Sequence, residues 1–126
     1  MRIAISATGT DLAAQVDPRF GRCQHFIIFD PETQQHEAVD NSNAAAGGGA
    51  GIAAAQMIVD KGVRAVLTGN CGPNAYQVLS AAGIQVITDV IGTVQEAIDG
   101  YKAGRLLASS KPSVEAHHGL QKGAGI

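Results

Sequence analysis

The sequence predicts an α/β fold, a five-stranded mixed sheet in the order 3-2-1-4-5 with about three helices. Three observations lead there. Residues 2–40 carry three extended patterns with no helical spacing between them. From residue 51 to residue 104, helical and extended patterns alternate, as crossover units require. The chain has 126 residues, 45% of them hydrophobic, which is enough for one core and one domain.

Each element has its own signal. Ile3, Ile5 and Ala7 alternate through residues 2–7 and give the first strand. A polar stretch follows over 8–22, too long for a plain turn and therefore a candidate for function. Phe26-Ile27-Ile28-Phe29 is a continuous apolar run closed by Asp30-Pro31, the mark of a buried second strand. Residues 35–40 form a more polar third strand that suits an edge and pairs with the second as a hairpin across 30–34. Ile52, Ala55, Ile58 and Val59 lie at helical spacing over 51–61, with Gly62 at the C-terminal cap. Residues 63–68 are a β-branched fourth strand. Pro73 suits the first position of a second helix whose stripe of Ala75, Val78, Leu79 and Ala82 stops at Gly83. Residues 84–87 give the fifth strand. Thr93-Val94-Gln95-Glu96 is a capping box that opens a third helix, closing at Gly104. Right-handed crossovers then place strands four and five parallel to strand one, beside an antiparallel meander. That is the arrangement of ribonuclease-H-like folds. The expected domain is 1–105, with a flexible, Gly-rich tail over 106–126.

Composition removes several functions. Nine Lys and Arg against eleven Asp and Glu leave a net charge of −2, and only three Phe and two Tyr could stack on bases. A dedicated nucleic-acid binder is not expected. No apolar run approaches the ~18 residues of a membrane span, and polar residues soon interrupt the first apolar stretch, so neither a membrane anchor nor a signal peptide is expected. Cys23 and Cys71 lie far apart and outside any CxxC pair, which reads as two thiols in a cytoplasmic protein.

Topology brings remote residues together. Strand one ends before the 8–22 stretch, and antiparallel strand two begins just after it, so Cys23 lies at the edge where strand one ends. Strand three returns its loop, residues 41–51 with Gly47, Gly48, Gly49 and Gly51, to that edge. Strand four brings Thr68-Gly69-Asn70-Cys71-Gly72 there too. Ligands of open α/β sheets bind at the carboxyl ends of strands where the strand order reverses. Two helix N-termini, opening at Gly51 and Pro73, point into the same crevice and favour an anion. Arg19 and Arg22 add positive charge. Sixteen glycines in the chain, nearly twice an average usage of about 7%, are concentrated around this edge and in the tail.

Single residues admit plainer roles. Cys23 and Cys71 read either as small buried hydrophobes or as soft-metal ligands. His25 and His36 read as ordinary strand residues. His117 and His118 read either as metal ligands, with His117 the candidate, or as a solvated pair. The 47–51 run lacks the Gly-Lys-Ser/Thr ending of a phosphate loop. The first strand carries no carboxylate for two-metal nuclease chemistry.

Three motifs in order then show a likeness: Asp17-Pro18-Arg19-Phe20-Gly21-Arg22-Cys23, Gly48-Gly49-Ala50-Gly51-Ile52, and Thr68-Gly69-Asn70-Cys71-Gly72-Pro73-Asn74-Ala75 followed by Ala82-Gly83-Ile84. Over about residues 1–105 the chain resembles the nitrogenase iron–molybdenum cofactor biosynthesis family of small ribonuclease-H-like proteins. The resemblance implies a non-enzymatic binder, store or carrier of a metal–sulfur cluster, with other cluster-assembly proteins as partners. Stand-alone members with Cys in both motifs imply a molybdenum–copper sulfide cluster held without covalent attachment; an iron–molybdenum–sulfur cluster is the alternative. The expected binding residues are Arg19, Arg22, Cys23, Gly48, Gly49, Gly51, Asn70, Cys71, Gly72 and Asn74. A Mo–S–Cu–S–Mo unit brings its own sulfide, so backbone N–H groups, arginines and helix dipoles can hold its charge without protein sulfur. Two other functions stay open: a thiol redox enzyme or sensor using Cys23 and Cys71, and a phosphate- or nucleotide-binding regulatory domain.

Overall fold

The computed structural model describes residues 1–41, 49–109 and 112. The elements run β1 (Ile3–Ala7), β2 (His25–Asp30), β3 (Gln35–Asp40), α1 (Ala50–Asp60), β4 (Ala65–Leu67), α2 (Pro73–Ala81), β5 (Gln85–Ile87) and α3 (Val94–Lys102). The sheet order is β3-β2-β1-β4-β5, as the pattern predicts. β1 pairs antiparallel with β2 and parallel with β4. β2 pairs antiparallel with β3, and β4 parallel with β5. The two crossover strands are shorter than their apolar runs: Val63 and Ile84 are buried but precede the paired residues.

The period of two in a strand sends alternate side chains to opposite faces, and both faces here are covered. On one, Ala4, Phe26, Ile28, Val66 and Val86 pack under α1 and α2 through Ala54, Ala55, Ile58, Ala75 and Leu79. On the other, Ile3, Ile5, Ile27, Phe29, Leu67 and Ile87 pack under α3 through Val94, Ala97 and Ile98. β3 is the exposed polar edge. The hairpin turns through Gln34, whose N–H donates to the Asp30 carbonyl at 2.8 Å.

The capping box forms as its sequence dictates. The Glu96 N–H donates to Thr93 Oγ1 at 3.1 Å, and the Thr93 N–H donates to Glu96 Oε1 at 2.8 Å. Replacing Thr93 by alanine should cost about 1 kcal/mol, read as a lower urea midpoint at unchanged slope. An unaltered midpoint would show that tertiary packing alone holds this helix start.

The opposite edge of the sheet is partly covered. After α3 the chain turns back, with Leu106 against Gly100, and Ser109 is fastened beside β5. The Ser109 N–H donates to the Val86 carbonyl at 2.7 Å, its carbonyl accepts from the Tyr76 hydroxyl at 3.0 Å, and its hydroxyl lies 2.6 Å from Thr88 Oγ1. Among the described residues no helix is long and apolar enough to cross a membrane.

Candidate functional site

The long segment between β1 and β2 is tied down along its length. The Thr8 N–H donates to the Gln15 carbonyl, Val16 N–H to Gly92, and Asp17 N–H to Ser6. Beneath it the Ser6 hydroxyl donates to the Asp17 carbonyl at 2.7 Å and meets the Thr68 hydroxyl at 2.8 Å, a buried polar link between the ends of β1 and β4. Arg19 and Asn70 then form an isolated bridge: Phe20 N–H donates to the Asn70 carbonyl at 3.1 Å, and Asn70 N–H donates to the Pro18 carbonyl at 2.7 Å. Asn41, leaving β3, donates its side-chain amide to the carbonyls of Gly21 and Cys23 at 3.2 and 2.8 Å. The remote segments therefore meet at the carboxyl ends of β1 and β4, where the sheet order reverses.

Two glycines make this meeting sterically possible. A Cβ on Gly21 would lie 2.8 Å from Gly51 Cα, and one on Gly69 would lie 2.5 Å from Pro18 Cα. Bare backbones pack where side chains could not.

The convergence encloses a pocket of about 190 Å³ lined by Phe20, Gly21, Gly49, Gly51, Ile52, Gly72, Pro73, Asn74 and Ala75. Both helix N-termini open into it. α1 is capped by Gly49 and α2 by Gly72, neither cap supplies a side-chain hydrogen bond, and neither first turn holds an acidic residue. The first N–H groups of a helix have no carbonyl partner within it and carry the positive end of the dipole. The pocket thus presents backbone donors between apolar walls, with no hydroxyl or cationic side chain among its lining residues.

Of the expected binding residues, Gly49, Gly51, Gly72 and Asn74 line this pocket. Arg19 and Asn70 bridge beside it. Arg19 is half exposed, and its Nε donates to Asp17 Oδ1 at 3.3 Å. Arg22 is exposed next to Gly21. Gly48 and His117 lie outside the described residues, as does His118. The apolar walls Phe20 and Ile52 stand in the family motifs but not among the expected binding residues. The same holds for the buried Asp17, whose position before Pro18-Arg19 was the available signal: Oδ1 accepts the Arg19 N–H at 2.9 Å.

The thiols do not line the pocket. Cys23 and Cys71 are fully buried in the same apolar cluster as Phe20 and Ala75, which line the pocket. The Cys23 thiol donates to the Phe20 carbonyl at 3.3 Å. Burial, aided by the Asp17 carboxylate, pushes the Cys23 thiol up to about 12. Burial does the same for Cys71. Both are thiols, not a disulfide. Among the described residues no group of three His, Cys, Asp or Glu converges to hold a metal ion.

Comparison with known proteins fits this geometry. The family model described as dinitrogenase iron-molybdenum cofactor matches residues 1–104. The chain belongs to this family. It is similar to the apo form of the orange protein from Desulfovibrio gigas, with 41% identity and a TM-score of 0.87 over 90% of this chain and 96% of that one. It is similar to a NifB-type protein from Thermotoga at 42% identity and a TM-score of 0.79, over 90% and 97% of the two chains. An uncharacterized protein of Methanocaldococcus jannaschii is 31% identical over 109 residues, 84% of this chain and 89% of the relative. The dinitrogenase cofactor family thus takes in the whole sheet, all three helices and the pocket between α1 and α2.

Proposed function

We propose that this protein binds and carries a molybdenum-containing metal–sulfur cluster, without catalysis, in the pocket between the N-termini of α1 and α2. The cargo is a molybdenum–copper sulfide cluster; an iron–molybdenum–sulfur cluster is the alternative composition. The observation that carries this reading is the pair of helix N-termini, neither with a side-chain cap, at one apolar-walled pocket in a chain of this family. Backbone N–H groups and helix dipoles favour an anion. Those donors serve a phosphate as well as a sulfide anion; the apolar walls, which desolvate whatever they touch, favour the more weakly hydrated sulfide surface. The buried cysteines act as packing, and metal keeps its own sulfide. Residues 1–105 form the binding domain, with 106–126 as its tail. The setting is the cytoplasm, and other cluster-assembly proteins supply or receive the cargo.

The test is anaerobic reconstitution with tetrathiomolybdate and copper, followed by desalting, metal analysis and visible spectroscopy. A retained chromophore with stoichiometric molybdenum supports the reading; a colourless protein overturns it. Cys23→Ala and Cys71→Ala should retain bands at unshifted positions, with occupancy reduced only as packing suffers. A shifted sulfide-to-metal band in either variant would make that cysteine a direct ligand. Replacing Arg19 and Arg22 together by alanine should weaken retention by about two- to fivefold at low salt, the size of screened charges beside the pocket rather than in its wall. Equal retention at matched ionic strength would leave both as solvated surface charges.

A further inference from the structure

Most glycines among the described residues are explained by the fold. Five adopt positive φ, and Gly21 and Gly69 stand where a Cβ would strike backbone. Gly9 and Gly100 face Ala14 and Leu106 at 3.2 and 3.4 Å. Gly51 and Gly72 have no such reason. Gly72 has φ −68° and ψ 171°, open to any residue, and a Cβ there would meet no atom within 4 Å. Gly51 lies in the first turn of α1, and its Cβ would meet only Ala75 Cβ at 3.5 Å, an ordinary contact. Alanine at position 51 would form a better helix. Neither conformation nor packing asks for glycine at these two places, and both line the same pocket, one at each helix N-terminus.

We propose that Gly51 and Gly72 determine the specificity of this pocket, because the ligand occupies the space where their Cβ atoms would stand. The inference rests on the pocket being the cluster site and adds a steric rule to it. The cargo is a polyatomic sulfide anion broad enough to lie against both helix N-termini at once, in van der Waals contact with bare Cα atoms. A methyl group at either position holds it away from the N–H donors on that side.

Gly51→Ala and Gly72→Ala test this, with thermal unfolding of the metal-free proteins beside retention of the copper–tetrathiomolybdate product. Metal-free Gly51→Ala should melt at or above the wild-type temperature, and Gly72→Ala close to it. Retention should fall by about tenfold or more in each, a change that ordinary stability loss would not produce in a protein melting normally. Wild-type retention in both variants overturns the inference alone. Loss confined to one variant overturns contact with both helices. A variant that melts far below wild type shows its glycine to be structural, which also overturns it. A wild-type protein that retains no cluster overturns the reading of the pocket, and this inference with it.

Discussion

Both thiols should react with iodoacetamide about a thousandfold more slowly in the folded protein than an exposed cysteine does at the same pH, from ionisation alone. The thiolate is the nucleophile, and an ordinary thiol near 9.0 held instead at about 12 forms it correspondingly less often. Burial of both sulfurs slows access further. Urea above the unfolding midpoint should restore the ordinary rate. Fast labelling of the native protein would return a thiolate to the reach of metal or of an oxidant, and would favour a thiol-redox function. The same burial sets an alkaline limit. The folded state keeps these protons at pH values where the unfolded chain loses them, so the stability they contribute is full below about pH 9 and falls as pH rises toward 12. Tyr101, also raised by burial, acts in the same direction. The urea midpoint should therefore decline from pH 8.5 upward, and less steeply in the double cysteine-to-alanine variant.

Gly69→Ala should destabilise the protein by at least about 1–3 kcal/mol, the range for forcing atoms into a filled site. Its Cβ would stand 2.5 Å from Pro18 Cα and 2.9 Å from the Pro18 carbonyl oxygen. Neither backbone can yield easily. Asn70 N–H is bonded to that carbonyl at 2.7 Å, and the Gly69 carbonyl accepts from Asp89 at 2.8 Å. Separating the two strands of the bridge would also move Phe20, one wall of the pocket, so cluster retention should drop with stability. Denaturation with an unchanged midpoint would show that the 8–22 segment shifts freely. The contrast with Gly72→Ala is the point: two glycines three residues apart, one demanded by the chain and the other not.

Elements with strong local signals are legible from sequence. Pro73 at the first position of α2, the Thr93–Glu96 box and the hairpin across Asp30 and Gln35 each follow from side-chain chemistry within a few residues. Sheet order followed as well, because crossover handedness leaves few arrangements. The extents of β4 and β5 did not, since Val63 and Ile84 are apolar for packing while pairing ends elsewhere. The crevice was legible as a place but not as a surface. Gly51 follows from a helix start, Gly49 and Gly72 from the glycine-rich loops that topology brings to this edge, and Asn74 from the family motif, whereas Phe20 and Ile52 form walls only because the 8–22 segment folds against α1. Cysteine burial stayed one of two open readings, because the same residue type serves as core filler and as ligand, and only the packing with Phe20 and Ala75 decides for burial.

The fastening of Ser109 determines which rim of the molecule each end of the domain serves. β1 starts at the rim opposite the crevice, where the amino group of Met1 meets Glu32 at 3.2 Å. Ser109, held by Tyr76 near the start of α2 and by Thr88 beyond the end of β5, lies at the crevice rim. A fusion partner or surface linkage joined ahead of residue 1 therefore stands on the rim away from the pocket. One joined soon after residue 109 begins at the carboxyl end of β5, on the same rim as the pocket, where under the proposed function its bulk would compete with a protein docking there.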